Sequence, residues 1–161
     1  KKLKESAGIG EHPKIKFLHG NLKKEEIAAV FTHPKVKMYV SATRGEGYGL
    51  PLVESAACGL PIVATGWSGH LQFLDKESFG CVDYNLVEIE ETRVDNRVFQ
   101  KGFKWAEPVE TSFKRELRKV YKDYKSAKTK SRDMMKRVRV EFGKHNIKKQ
   151  YDELFEKCET K

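Results

Sequence analysis

Apolar positions change their period once along this chain. Up to about Pro108, short apolar runs alternate with stretches where apolar side chains recur every three or four residues; beyond it only the helical spacing remains. In the first regime, Ile15–His19 predicts a strand ended by Gly20-Asn21. Lys23–Phe31 predicts a helix with Ile27, Val30 and Phe31 on one face. Val36–Ser41 predicts a second strand, Leu50–Cys58 a helix and Pro61–Thr65 a third strand. A short helix over Leu71–Leu74 and a strand over Cys81–Val87 close the series. Strands alternating with helices at these lengths predict an α/β fold: an open parallel sheet with helices on both faces. Such sheets bind ligands in the loops beyond the carboxyl ends of their strands.

Residues 88–104 are polar and irregular and predict a long excursion with little regular structure. Past Pro108, Phe113, Leu117, Val120 and Tyr124 share one helical face, then Met134, Val138 and Phe142, then Ile147, Tyr151 and Leu154. Gly143 marks the stop between the last two helices. The chain thus divides into an α/β unit over residues 1–110 and a helical tail over 111–161 that packs on or beside it.

The stretch Ser41–Thr65 carries the most information. Pro51 suits the first turn of a helix, where its missing N–H costs nothing. Gly59 suits the left-handed position after the last turn, and Pro61 blocks continuation. The helix opens from Gly45, Gly47 and Gly49, which leave backbone N–H groups open to a ligand. Free amides at the positive end of a helix dipole make an anion site suited to a diphosphate.

Two acids flank this feature, Glu46 in the loop and Glu54 one turn inside the helix. A carboxylate beside a phosphate repels it, so neither neutralises charge there; each is suited to accept hydrogen bonds from the paired hydroxyls of a sugar or ribose. Taken singly, Glu46 fits a solvated loop residue equally, and Glu54 an acid drawn to the helix start by its dipole.

Charge refines the picture. Residues 112–161 hold 17 of the 32 Lys and Arg but only 8 of the 23 Asp and Glu, so the net charge of +9 belongs to the tail. Cations interleaved with acids read first as a solvated face. Gathered on one side, they would attract an anionic membrane or an acidic partner. No recognition signature for nucleic-acid bases is present, so no specific nucleic acid is expected. Cys58, Cys81 and Cys158 are too scattered for a disulfide framework or a metal cluster and fit thiols of a reducing cytoplasm. No apolar run approaches the roughly 20 residues that cross a bilayer. A cytoplasmic location, peripheral to a membrane if the tail attracts one, is expected. The lack of an initiating Met leads us to expect a fragment of a longer chain.

The run Gly45-Glu46-Gly47-Tyr48-Gly49-Leu50-Pro51-Leu52-Val53-Glu54 resembles the paired-glutamate motif of retaining glycosyltransferases with the GT-B fold, of the group 1 type. Ala56-Ala57-Cys58-Gly59-Leu60-Pro61-Ile62-Val63-Ala64-Thr65 continues it, and Phe17-Leu18-His19-Gly20 and Trp105-Ala106-Glu107-Pro108 resemble further family landmarks. The resemblance covers most of Ile15 to Glu110. It implies a Rossmann-like domain, the C-terminal, donor-binding half of a two-domain transferase of carbohydrate biosynthesis, acting on a nucleoside-diphosphate sugar and an unknown glycan, lipid or protein acceptor. By that resemblance Glu46 is the catalytic residue, holding hydroxyls of the transferred sugar. Gly47, Tyr48, Gly49 and Leu50 bind the sugar and diphosphate, and Glu54 binds the ribose. His19, Gly20, Asn21 and Leu22 line the base. The resemblance implies no cofactor and no metal.

The chain also departs from that pattern. The family's first strand, with its neighbouring Arg and Lys, is absent, since Lys1–Ala7 reads as the helix that would follow it. The N-terminal domain is likewise expected to be missing, which leads us to expect no activity from this piece alone. After Thr65 the family shows a Gly-Gly pair and then an acid, where this chain has Ser68 and Gln72. Ser68 and Gly69 read as phosphate or loop contacts. Arg44 reads equally as a phosphate ligand or as a salt-bridged side chain. For His19 and His70 a structural role outweighs a catalytic one, and for Trp67 packing outweighs shielding of the donor. A rival reading makes the chain a binding module without chemistry, whose basic tail holds nucleic acid or an anionic membrane.

Overall fold

The computed structural model describes residues 14–159. Its centre is a three-stranded parallel sheet of β1 (Tyr39–Ser41), β2 (Ile62–Thr65) and β3 (Gly80–Val82), in that order. β2 is buried at all four positions because it lies between the other two. Its alternation divides the core. Ile62 and Ala64 point to one face, where they join Leu52, Ala56, Phe73, Leu74, Phe79, Met134 and Val138. Val63 points to the other, with Val82 and Val120. With period-two alternation and both faces covered, the strands read as unbroken apolar runs.

Before the sheet comes α1 (Lys24–Thr32), whose ends match the predicted helix closely. Between β1 and β2 runs α2 (Leu50–Ala57), entered from Gly49 at φ +84° with Pro51 in its first turn. Its buried side, Leu52, Ser55 and Ala56, meets the sheet. Gly59 follows at φ +66°, and a Cβ there would come within 3.0 Å of Met135 Sδ. Three helices end the chain: α3 (Glu110–Lys122), α4 (Tyr124–Glu141) and α5 (Lys144–Glu159). The break at Phe142-Gly143 falls where the sequence predicts it.

The basic tail is part of the core. Val120 of α3 and Met134 and Val138 of α4 are buried against the two faces. Several of its cations serve backbone carbonyls. Arg139 Nε donates to Ala57 O at 2.8 Å, Arg137 Nη2 to Phe73 O at 2.7 Å, and Lys128 to Gly59 O. The Ser131 hydroxyl, wholly buried, also donates to Gly59 O. The negative end of the α2 dipole is thereby met by tail cations, the favourable pairing for a helix C-terminus.

Three expectations need correction. Ile15–His19 is not a strand: no backbone hydrogen bond joins residues 14–22 to the sheet among the described residues, and Phe17 and Leu18 are exposed. An extended segment without a neighbour has no ladder to complete. The strand expected over Cys81–Val87 breaks at Asp83 into β3 and β4 (Tyr84–Glu88). β4 pairs antiparallel with β5 (Lys104–Pro108), Tyr84 opposite Pro108 and Val87 opposite Trp105, and the excursion between them carries little regular structure, as expected, with only a 3-10 turn over Glu91–Arg93. The short helix expected at Leu71–Leu74 is a 3-10 turn over Gly69–Gln72. Two smaller shifts accompany these: β1 is shorter than Val36–Ser41, and Tyr124 opens α4 rather than ending α3. The expected helix over Lys1–Ala7 lies outside the described residues.

Candidate functional site

The glycine-rich loop connects the carboxyl end of β1 to the start of α2, the place where an open parallel sheet presents ligands. Its conformation is set by contacts with the loop after β2. Glu46 N–H donates to Ser68 Oγ at 2.9 Å, and the same hydroxyl donates to Glu46 O at 2.5 Å. Gly69 N–H donates to Glu46 O at 3.1 Å. The two loops touch so closely that a Cβ on Gly69 would sit 2.0 Å from Gly47 O, so glycine is required there. Ser68 and Gly69 therefore act on the backbone of Glu46.

Below this pair the loops rest on the core. His70 is buried, with Nε2 2.8 Å from Thr65 O; a carbonyl only accepts, so Nε2 carries the proton. His70 is thus a structural residue of the β2 loop. The ring of Tyr48 packs on that of the fully buried Phe73, centroids 5.2 Å apart. Gly49 N–H and C=O mark the helix start, and its carbonyl accepts from Leu52 and Val53. Gly47, Tyr48 and Leu50 remain exposed in front of it, and Gly49 is buried.

The two acids occupy different surroundings. Glu46 is half-buried; Tyr39 is its electrostatic neighbour, and the Tyr39 hydroxyl is pushed up in pKa by burial and then by this carboxylate. Glu54 is exposed on the same helical face as Leu50, four residues earlier. Its charge acts on Cys58, whose thiol pKa is raised by burial first, with Arg139 opposing and Glu54 adding. Burial likewise raises Cys81, so these two thiols are poor nucleophiles.

His19, Gly20 and Asn21 are exposed and Leu22 is half-buried in the segment before α1; among the described residues no hydrogen bond ties them to the glycine loop. Arg44 turns away from the helix start. It forms an ion pair with Glu107, and its guanidinium lies 4.3 Å from the centre of the Trp105 ring. Arg44 O also accepts from Ala106 N–H at 3.1 Å, joining the glycine loop to β5.

A cavity of about 780 Å³ opens on Gly45 and Gly47 and is walled on its far side by the β4–β5 hairpin, with Trp67, Phe99, Phe103 and Trp105 among its lining. This wall escapes sequence reading. The available signal was a pair of β-branched and aromatic runs, Leu86–Ile89 and Phe103–Trp105, bracketing a loop, which is the composition of a hairpin. Among the described residues no group of three His, Cys, Asp or Glu is placed to hold a metal ion. No helix there is long and apolar enough to cross a membrane.

The family model described as "Glycosyl transferases group 1" matches residues 1–139. No curated protein and no solved structure matches the chain.

Proposed function

The chain belongs to the group 1 glycosyl transferase family, and from that membership we propose that it binds the nucleoside-diphosphate sugar from which a retaining transferase takes its sugar. The observation that carries this reading is the helix start itself. Gly49 opens α2 at φ +84°, Gly47–Leu50 stand in front of it, and the loop is held in one conformation by Ser68 and Gly69.

In this reading the exposed amides and the α2 dipole meet the diphosphate and stabilise the charge that grows as it departs. No metal is called for. The Glu46 carboxylate accepts hydroxyls of the transferred sugar, and Glu54 accepts those of the ribose. The segment His19–Leu22 lines the base. Ser68 and Gly69 serve the donor through Glu46, and Arg44, already paired with Glu107, lies outside the phosphate site.

Calorimetric titration with UDP, GDP and ADP tests the reading. At least one should bind, and Glu54→Ala should weaken it about 10–100-fold, the worth of a hydrogen bond to a charged group. A folded protein that binds none of the three, or a Glu54→Ala variant with unchanged affinity, overturns the assignment.

A further inference from the structure

Five of the cations on α4 fall on one line. Lys125, Lys128, Arg132, Lys136 and Arg139 are spaced by three, four, four and three residues, the spacing that keeps side chains on one side of a helix. The rise of an α-helix makes the row roughly 21 Å long. Lys128 is half-buried and the other four are exposed. Ser131, Met134 and Val138 carry another side of α4 into the core, so the helix is fixed in place and the row faces outward. The cations help to fix it. Lys128 donates to Gly59 O, and Arg139 Nε to Ala57 O at 2.8 Å, at the end of α2. A lysine has three donors and an arginine five, so both keep donors for a further acceptor. A sixth cation joins from outside the helix. Lys37 Nζ, which donates to Pro34 O at 2.8 Å, lies 5.5 Å from the centre of the Tyr124 ring, one turn before Lys128.

The acids nearby do not balance this row. α4 carries two, Asp133 and Glu141. Asp133 reaches Lys136 at 3.3 Å from the neighbouring face, and Glu141 reaches Arg137, which is off the row. At the far end, Arg139 and Glu54 of α2 act on the same thiol, Cys58. In the middle the crowding is plain. The Lys128 ammonium is lowered in pKa by burial first and then by the cations Arg132 and Lys37. Like charges gathered in this way repel until an anion joins them. The geometry decides which kind of anion. A helix packed along its length on the core cannot enter the groove of a nucleic acid, and no base-reading signature accompanies it. A flat anionic surface meets the whole row at once. Beside Lys136 on the helix surface, Val140 is 70% exposed, and an apolar side chain edging a basic row suits the face of a bilayer.

We propose that this row is a docking surface for an anionic membrane, with Lys125, Lys128, Arg132, Lys136 and Arg139 on the phosphate groups of its lipids. Lys128 and Arg139 sit at the end of α2 opposite the glycine loop. The contact therefore holds the protein at a bilayer while leaving the proposed donor site open. It does not depend on the donor reading.

Sedimentation with lipid vesicles tests it. Phosphatidylcholine vesicles containing one-third phosphatidylserine should bind the protein, phosphatidylcholine alone should not, and added salt should release it. Lys125→Gln, Arg132→Gln and Lys136→Gln combined should weaken binding about a hundredfold, since each cation at an anionic surface is worth roughly fivefold. All three side chains are exposed, so the fold should survive, and circular dichroism checks this. Lys101→Gln, Lys104→Gln and Lys114→Gln combined remove the same charge elsewhere and should leave the affinity within about threefold. No binding to the charged vesicles, equal binding to both kinds, unchanged affinity in the α4 variant or equal weakening by the control set overturns the proposal. So does a preference for a duplex oligonucleotide over the charged vesicles. Nucleotide titration is a separate measurement, and its failure bears on the donor site alone.

Discussion

Ser68 holds Glu46 by both of its backbone polar groups, accepting its N–H and donating to its carbonyl. To do so Ser68 adopts φ +97° and ψ −168°, a region that essentially only glycine enters at low cost. The hydroxyl is the compensation. A glycine would fit this backbone without strain but leave the Glu46 N–H without its partner and the Glu46 carbonyl with Gly69 N–H alone. The strain sits in the loop that holds Glu46, the residue proposed to read the sugar.

Substitution at Ser68 separates these two effects. Ser68→Ala keeps the strain and removes the hydroxyl, which should lower stability by about 1–2 kcal/mol for two lost hydrogen bonds in a half-buried place. Ser68→Gly also removes the hydroxyl but releases roughly 1–3 kcal/mol of backbone strain, so it should fall well short of the alanine loss. Urea denaturation of the three proteins makes the comparison. Equal losses for alanine and glycine would show that the backbone at 68 stores no strain.

Glu46 and Glu54 should fail differently. Glu46→Gln retains an acceptor but removes the charge that strengthens its hydrogen bonds to sugar hydroxyls. It should leave nucleoside-diphosphate affinity within about twofold, because the bare nucleotide lacks the sugar. It should weaken binding of the intact nucleotide sugar about tenfold or more. Calorimetry with the nucleotide and then the nucleotide sugar reads the split. If Glu46→Gln weakens both ligands alike, Glu46 acts on the diphosphate or on folding instead.

Phe73 links the core to the glycine loop. It is fully buried, packs on Tyr48 and, at 6.0 Å between centroids, on Phe142 beyond α4. Phe73→Ala should cost about 3–5 kcal/mol through lost burial and the cavity left behind. Thermal denaturation would show it. A loss below about 1 kcal/mol would mean that the site collapses around the smaller side chain.

A smaller effect concerns pH. The Asp83 carboxyl is held below its ordinary range, first by the hydrogen bond from Arg115 and then by that from Ser112. A lowered carboxyl stabilises the fold fully above its unfolded value of about 3.9, and that contribution fades as pH falls through the folded value. Asp83→Asn should therefore be less stable than the unsubstituted protein at pH 5–7, and the gap should close as the pH falls below the unfolded value and through the folded one. The pair is solvent-exposed, so the difference should be small and shrink in high salt. Denaturation midpoints across that range decide it; a constant gap at all pH values would assign the loss to something other than ionisation.

How much of this was legible beforehand depends on the distance over which each feature is encoded. The start and stop of α2 are written in Gly49, Pro51 and Gly59, within a turn of the residues they govern, and the structure places them there. The alternation of strands and helices in residues 36–82 and the break at Gly143 were local in the same way. The role of the basic tail was not. Lys128, Arg137 and Arg139 look like solvated charges in sequence, yet they reach carbonyls 64 to 82 positions away.

By itself the sequence determined the class of sheet, the helix behind the glycine loop and the family, because caps, propensities and apolar period act between near neighbours. Tertiary structure alone decided that Ile15–His19 finds no strand partner among the described residues, that β4 finds β5, that Arg44 faces Glu107 and that a cavity forms between the hairpin and the loop. A strand exists only when a partner offers its hydrogen bonds, and a cavity exists only between surfaces that folding brings together. No local pattern contains either.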